Sequence, residues 1–411
     1  MRILYLTQTL PPEPGATKRP LKQARHLQEL GHQVTILGTM PCYPLGRLFD
    51  GYRAKLILRE KLEGVDVVRI ASLPAANKGI FRRALRCFSF AGACTMAGLF
   101  LKKPDLIIAS VPDIGTDLAG LLIGRLRGAP VLLELRDLIP DNLLFIGISE
   151  RSLLFRILSI YYQKIYAWMD LIAVVNYNMT AALERKGVSS KRLLVLPHAV
   201  DQDFWATIGK ADLRCRFHLE DKFIVLYAGS FSPYYDVPNI VLAASLLQKR
   251  NPEIHFLLLG TGPDALRVEE MILHRHISNV TYMGPVAPSN VADYLRASDL
   301  FLAPLVSRQS LKFYRNHLST KVCEYLAVGR PVVAIGNGAT LGDFLGRIEA
   351  GAGVPMGQPE ALAAQIKFYA THHEQTMRCG LNARRYALEH LDRRSVIRTF
   401  ERQLVLKLVS A

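Results

Sequence analysis

The sequence predicts an α/β protein made of two doubly wound domains with parallel sheets, and three observations lead there. The chain has 411 residues, too many for one ordinary domain, and is 50% hydrophobic, enough to fill two cores. Short apolar runs alternate with helical patterns from the amino terminus onward, the order that builds βαβ units and hence parallel sheets. The alternation restarts at Phe223 without a sequence repeat, which reads as a second domain of similar architecture rather than a solenoid.

In chain order, a strand from Arg2 to Thr7 runs into a Pro/Gly loop, Pro11 to Gly15. A helical pattern follows at Leu21, Ala24, Leu27 and Leu30, Gly31 ends it, and His32 to Leu37 forms the next strand. Further strands are expected at Val65 to Ile70, Leu106 to Ala109, Val131 to Glu134, Leu171 to Val175 and Leu193 to Leu196, completing a first domain over residues 1–205. The stretch from Asp201 to Asp221 holds the linker. The second domain, residues 206–385, takes strands at Phe223 to Ala228, His255 to Leu259, Val280 to Met283, Leu300 to Ala303 and Val332 to Ile335. The tail from Ala383 to Leu408 is helical and mixed in charge.

Fifty-one Lys and Arg against 35 Asp and Glu give a net charge of +16, a field that attracts phosphates, anionic headgroups or nucleic acid. No basic stripe interleaved with aromatics is present, so nucleic acid is not an expected partner. The six cysteines are scattered and form no C-x-x-C pair, which fits a reducing cytoplasm and neither a zinc knuckle nor a disulfide framework. The apolar run after Met1-Arg2 is too short for a secretion signal. Phe88 to Leu101, with Arg82, Arg83 and Arg86 before it and Lys102-Lys103 after it, is the most lipid-like stretch, yet short of a span. An apolar interior with basic ends over Phe81 to Lys103 suits an interfacial helix at an anionic membrane surface and equally an ordinary buried helix.

In doubly wound sheets ligands bind beyond the carboxyl ends of the strands, so the loops there are the first places to look. After the first strand, Gly15, Thr17, Lys18 and Arg19 lead into a helix whose free N–H groups, with the cations, suit an anion, Gly15 being a donor-side candidate and Thr17, Lys18 and Arg19 acceptor-side ones; a rigid turn with solvated cations accounts for the same residues. Gly229-Ser230 and Gly260-Thr261-Gly262 follow the first two strands of the second domain, where a glycine admits a phosphate or simply makes a turn. The segment from Ser319 to Ala334 says most. Ser319 as N-cap, Gly329 as C-cap and Pro331 as stop define a short helix followed by a buried strand. Thr320 and Lys321 stand at its amino end beside free N–H groups, a cradle for a diphosphate, and Glu324 lies one turn inside, where a carboxylate can accept from two ribose hydroxyls. An i,i+3 pair between Lys321 and Glu324 is the structural alternative.

Together these segments resemble the retaining family 4 glycosyltransferases of GT-B fold, in particular the bacterial branch that builds surface polysaccharides. The resemblance rests on Pro11-Pro12-Glu13-x-Gly15, Gly31-His32-x-Val34-Thr35, Pro41-Cys42-Tyr43-Pro44-Leu45-Gly46, Pro197-His198-Ala199-Val200-Asp201, Ser319 to Val333, and a Gly-rich turn at Glu349-Ala350-Gly351-Ala352-Gly353. It implies two facing Rossmann-like domains with the donor in the cleft between them, a final helix over residues 386–411 crossing back to the first domain, and transfer with retention of configuration. By resemblance, Glu324 is the second glutamate of the family's E-x7-E motif; Asn316 stands where the first would be. The loop from Gly229 to Asn239 lacks the usual arginine and lysine, leaving Lys321, Lys312, Arg315 and Arg308 to supply charge, and Arg315 and Asn316 join the donor-side candidates. Asp137, in Asp137-Leu138-Ile139-Pro140, approximates the branch's Asp-hydrophobic-Pro pattern with one residue more and is the candidate for orienting the acceptor or receiving its proton, alongside a loop-bracing role.

The expected reaction breaks a C1–O bond while charge grows on the leaving diphosphate, so Lys321 and the helix end behind it are expected to do the stabilising. No Asp-x-Asp pair follows a strand and Asp299 is isolated, so the donor site is expected to need no metal and no cofactor, only a nucleotide-sugar co-substrate with a UDP-sugar as first choice. The acceptor is expected to be a glycan or a polyprenyl-diphosphate-linked sugar. A sugar-nucleotide epimerase of the same fold and a catalytically silent nucleotide-sugar-binding relative are the alternatives.

Overall fold

The structure, a computed structural model, describes the chain except residues 14–17, 43–45, 54, 74–79, 112–113, 202–212, 234, 288–289, 305–317, 337–340 and 410–411; of residues 80–83 and 145–146 it describes the backbone alone. The chain divides into two compact units, Met1–Leu196 together with Ile397–Ala411, and Pro197–Val396.

The first unit contains β1 (Arg2–Leu6), α1 (Lys18–Glu29), β2 (Gln33–Thr39), β3 (Ile57–Leu62), β4 (Val65–Ile70), α2 (Ile80–Phe100), β5 (Leu106–Val111), α3 (Thr116–Arg127), β6 (Val131–Leu135), α4 (Leu153–Trp168), β7 (Leu171–Val174), α5 (Tyr177–Arg185) and β8 (Leu193–Val195). Its eight strands lie in the order β3-β4-β2-β1-β5-β6-β7-β8 and are parallel throughout except for β3, which pairs antiparallel with β4. The order reverses at β1: its helix leads to β2 on one side, whereas β5, β6, β7 and β8 follow one another on the other. Right-handed crossovers therefore put α1 on one face of the sheet and α2, α3, α4 and α5 on the opposite one. Strands covered on both faces need near-continuous apolar runs, as in Leu106-Ile107-Ile108-Ala109, all buried.

The hairpin strand β3 is absent from the sequence-based list because its alternating burial, with Arg59 and Lys61 among its residues, resembles an exposed segment. Arg69 of β4 explains how it docks: fully buried, its guanidinium donates to Glu60 Oε1 at 2.5 Å, to the Thr39 carbonyl at 3.1 Å and to the Pro11 carbonyl.

The second unit contains α6 (Leu213–Arg216), β9 (Phe223–Ala228), α7 (Val237–Leu247), β10 (Ile254–Leu259), α8 (Ala265–His274), β11 (Val280–Gly284), α9 (Val291–Ala297), β12 (Leu300–Pro304), α10 (Thr320–Val328), β13 (Val332–Ile335), α11 (Leu341–Arg347), β14 (Gly351–Val354), α12 (Pro359–Thr371) and α13 (His373–His390), and the first residues of α14 (Arg393–Val409). Six parallel strands run β11-β10-β9-β12-β13-β14, with an apolar core on each face of the sheet.

Two sequence readings change here. The segment Glu349 to Gly353, expected to be a turn, contributes β14, which pairs parallel with β13. Gly351 can be a strand residue only without a side chain, since a Cβ there would lie 1.9 Å from the Val332 carbonyl oxygen. The helical tail is two helices, α13 and α14, separated at Leu391-Asp392, where Val200 forms a parallel bridge to Asp392. Asp299, which has no second Asp beside it in sequence, is used by the fold: its Oδ2 accepts from Arg214 Nη2 at 2.6 Å and from the Ile224 amide at 2.8 Å, tying the start of β12 to that of β9.

Candidate functional site

The carboxyl ends of β9 and β10 and the amino end of α10 meet in the second unit. Ser319 adopts the extended backbone of an N-cap and Gly329 closes the helix in the left-handed region at φ 79°, so the helix ends fall where the sequence places them. Ser319's side chain makes no cap bond, however, and among the described residues no acceptor meets the first-turn amides. Thr320, the first helical residue, has its hydroxyl 3.3 Å from His198 Nδ1.

Lys321 turns its side chain back toward β9. Its ammonium is buried with no hydrogen-bond partner among the described residues, so the i,i+3 pair with Glu324 does not form. It lies 4.2 Å from the ring centre of Tyr235 and 5.0 Å from that of Tyr227, a cation caged by two aromatic faces. Burial pulls its pKa down to about 8 from 10.5. Gly229 makes the approach possible, because a Cβ there would stand 2.6 Å from Lys321 Nζ.

The walls of this corner are fixed by hydrogen bonds. Tyr325 Oη, on the inward face of α10, accepts from the Ala228 amide at 3.1 Å and donates to the Ala228 carbonyl at 3.3 Å, clasping the helix to the end of β9. Its ring stacks on Phe301 with centroids 4.4 Å apart. Gly260 and Gly262 line the neighbouring loop, which continues the strand pairing past the end of the sheet through Gly229 N to Leu259 O at 2.9 Å and Phe231 N to Thr261 O at 2.9 Å. Both glycines thus stand behind the Gly229 loop and shape it. Ser230 is exposed at its tip. Glu324 is half-buried one turn into α10. Asn316, Arg315, Lys312 and Arg308 lie outside the described residues.

The motif Pro197 to Asp201 belongs to the same unit. Besides His198 at Thr320, Asp201 accepts from Arg393 Nε at 2.8 Å, and the Val200 amide donates to the Leu391 carbonyl at 2.8 Å. The motif therefore fastens the last helices of this unit and brings an imidazole to the amino end of α10.

In the first unit, Asp137 is half-buried in the loop beyond β6 and Lys18 is exposed at the start of α1; Gly15 and Thr17 lie outside the described residues. Arg19, expected on the acceptor side, is committed to the fold instead. Its Nε donates to Glu134 Oε1 at 2.9 Å and its Nη2 to the Leu196 carbonyl at 2.8 Å, with both side chains of the pair buried. Tyr5 Oη and Gln23 Nε2 also donate to Glu134, at 2.5 and 2.9 Å. Burial alone would raise this carboxyl, but Arg19 first, then Arg136 and these hydrogen bonds, hold it at about 2. Glu13 of the Pro-Pro-Glu motif is likewise a brace: its carboxylate accepts from the Leu10 amide at 3.0 Å and the Cys42 amide at 2.9 Å, which links the two motifs physically.

Sequence reasoning missed Tyr227, Tyr235, Tyr325 and His198. A signal was present for one of them, since Tyr235 lies in the loop that lacks the family's cations, whereas Tyr227 is one more apolar position of β9. Tyr325 and His198 gave none, because their partners are far away in the chain.

Two doubly wound units with a cationic, backbone-rich corner at the carboxyl ends of the strands define a GT-B architecture, and comparison with known proteins agrees. Residues 15–199 match the description "Glycosyl transferase 4-like domain" and residues 212–386 match "Glycosyl transferases group 1". The chain belongs to the family 4 glycosyltransferases of GT-B fold. It is similar to WcaI of Escherichia coli K12, a glycosyl transferase assigned to colanic acid biosynthesis, with 25% identity over 97% of this chain and 98% of that one. Among solved structures it resembles sucrose-phosphate synthase from Thermosynechococcus elongatus, at 17% identity, TM-score 0.76 and full coverage of both chains. It also resembles HepE of Anabaena in complex with UDP and glucose, at 16% identity, TM-score 0.69 and full coverage of both.

Proposed function

We propose that this glycosyltransferase moves a sugar from a nucleoside-diphosphate donor, a UDP-sugar, to a hydroxyl of a glycan or polyprenyl-diphosphate-linked acceptor, with retention of configuration and without a metal ion, in polysaccharide or glycolipid assembly. The observation that carries the proposal is the Lys321 ammonium, buried without a hydrogen-bond partner among the described residues against Gly229 at the amino end of α10. A protein tolerates a desolvated, unpaired charge where a ligand supplies the counter-charge. The similarity to WcaI and to HepE with its bound UDP supports the choice of pathway and donor.

In this reading the diphosphate lies across the first-turn amides of α10, with Lys321 on it and Glu324 accepting from the ribose hydroxyls. As the C1–O bond breaks, charge grows on the diphosphate, and these fixed donors stabilise it without reorganising. Asp137 orients the acceptor hydroxyl or takes its proton, and Lys18 stands on the acceptor side.

A thermal-shift screen of UDP-, GDP- and ADP-sugars tests the donor assignment. UDP-sugars at about a hundred times their Kd are expected to stabilise the protein by about 3 kcal/mol; no shift with any of the three would overturn the nucleotide site. The depressed lysine adds a second signature. A neighbouring diphosphate favours the charged amine, so binding above pH 8 takes up a proton. Between pH 7 and pH 9 the affinity for UDP is expected to fall about tenfold, following the uncharged fraction of an amine titrating near 8. Calorimetry in buffers of different ionisation enthalpy reads the proton directly, and a pH-independent affinity would contradict the placement of Lys321 on the phosphates.

A further inference from the structure

On the sheet face that carries α2, α3 and α4, the solvent side of the helical layer is apolar. Along α2, Leu85, Phe88, Met96 and Phe100 are exposed, the last at 84%, at the spacing of a single stripe with Gly92 completing it. The opposite side of the same helix, with Phe90, Ala91 and Cys94, is buried, so the ordinary packing of a buried helix accounts for one face of it alone. Along α4, Leu153, Ile157, Ile160 and Trp168 form a second exposed stripe, with Lys164 in register. Between them α3 adds Leu122 and Leu126. On α8, by contrast, the exposed Leu266 and Leu273 stand near Glu269 and Glu270.

The charge on this face has one sign. Among the described side chains, the three helices carry Arg86, Arg125, Arg127, Arg156 and Lys164 against a single carboxylate, Asp117, which is fully buried. Lys102 and Lys103 follow directly and are exposed. Among the described residues no helix is long and apolar enough to cross a membrane. A broad apolar ridge set among cations, with a tryptophan at its edge, matches an interface of acyl chains below anionic headgroups, where long basic side chains reach up to the phosphates. A protein partner of ordinary composition would leave these arginines and lysines without counter-charges.

We propose that the outer side of α2, α3 and α4 is a docking surface for an anionic lipid bilayer, on which the protein lies without spanning it. The two stripes enter the headgroup boundary together, and Arg125, Arg156, Lys164 and Lys102-Lys103 contact lipid phosphates. This surface is independent of the nucleotide site and stands or falls separately from it.

The test is flotation of the full chain with vesicles of phosphatidylcholine alone or with phosphatidylglycerol, at low and high salt. Binding to the phosphatidylglycerol vesicles, at least tenfold stronger than to phosphatidylcholine and weakened by salt, is expected, with a blue shift of tryptophan emission that Trp168→Phe removes. Phe88→Ser/Phe100→Ser/Ile157→Ser and, separately, Arg156→Glu/Lys164→Glu are expected to lower the partition at least tenfold while leaving the nucleotide-induced thermal shift intact. Equal partition onto both vesicle types, unchanged binding by both variants, or a dimer that the triple variant dissociates while wild-type protein ignores vesicles would each overturn the proposal.

Discussion

Replacing Lys321 with Met is expected to raise the melting temperature of the unliganded protein and, in the same molecule, to cut the nucleotide-induced shift by about half or more. The reason is that the ammonium is held at a cost. Two aromatic faces at 4.2 and 5.0 Å return part of the lost hydration, but the pKa of about 8 shows that desolvation wins by roughly 3 kcal/mol. Methionine fills a similar volume without the charge, so the second unit should gain about 2–3 kcal/mol, or about 5 °C. The sign with pH follows from linkage. Below about pH 8 the amine is charged in both states and the full penalty applies; from there to 10.5 the unfolded chain holds the extra proton, so wild-type stability rises with pH. The Met variant should lack that rise and bind UDP about 10- to 100-fold more weakly, the worth of a charged hydrogen bond to phosphate. A variant that is less stable than wild type, yet shifts with nucleotide as fully as wild type does, would show the lysine to be a structural group.

The second large effect is expected far from that corner. Glu134→Gln should destabilise the first unit by about 3–5 kcal/mol, because it leaves the Arg19 guanidinium buried beside a neutral amide. The amide is also a poor fit: both carboxylate oxygens face donors, from Arg19 and Gln23 on one and Tyr5 on the other, and an NH2 group cannot accept. In wild type the carboxyl is held at about 2 against 4.5 when exposed, so its contribution is complete above pH 4.5 and is lost as the pH falls toward 2. Acid unfolding of Glu134→Gln should therefore be shallower across that window. Arg19→Met combined with Glu134→Leu should recover part of the loss, since removing both charges costs less than stranding one. Additive effects of Arg19→Met and Glu134→Gln in a double-mutant cycle would deny the coupling.

These two residues show where sequence reasoning reached and where it stopped. Lys321 stands out in the sequence as a candidate phosphate ligand because it follows an N-cap signal in a short helix bounded by Gly329 and Pro331, all within a dozen positions. Its burial between Tyr227 and Tyr235 does not, since the rings come from a segment nearly a hundred residues earlier. Arg19 looked like a loop cation beside Lys18 for the same reason: its partner Glu134 is 115 residues away. The motif Pro-Pro-Glu was recognisable, but its tie to Cys42 was not.

By itself the sequence determined the period of its apolar residues, and through it the alternation of strand and helix that makes both sheets parallel apart from the β3 edge, and the ends of α10, because these follow from contacts a few residues apart. Only the tertiary structure decided which polar groups are consumed internally and which remain available. Arg69, Arg19 and Asp299 are paired inside, Lys321 is buried with no partner among the described residues, and the apolar stripes of α2 and α4 face solvent, because burial and pairing depend on neighbours that the chain brings together only when it folds.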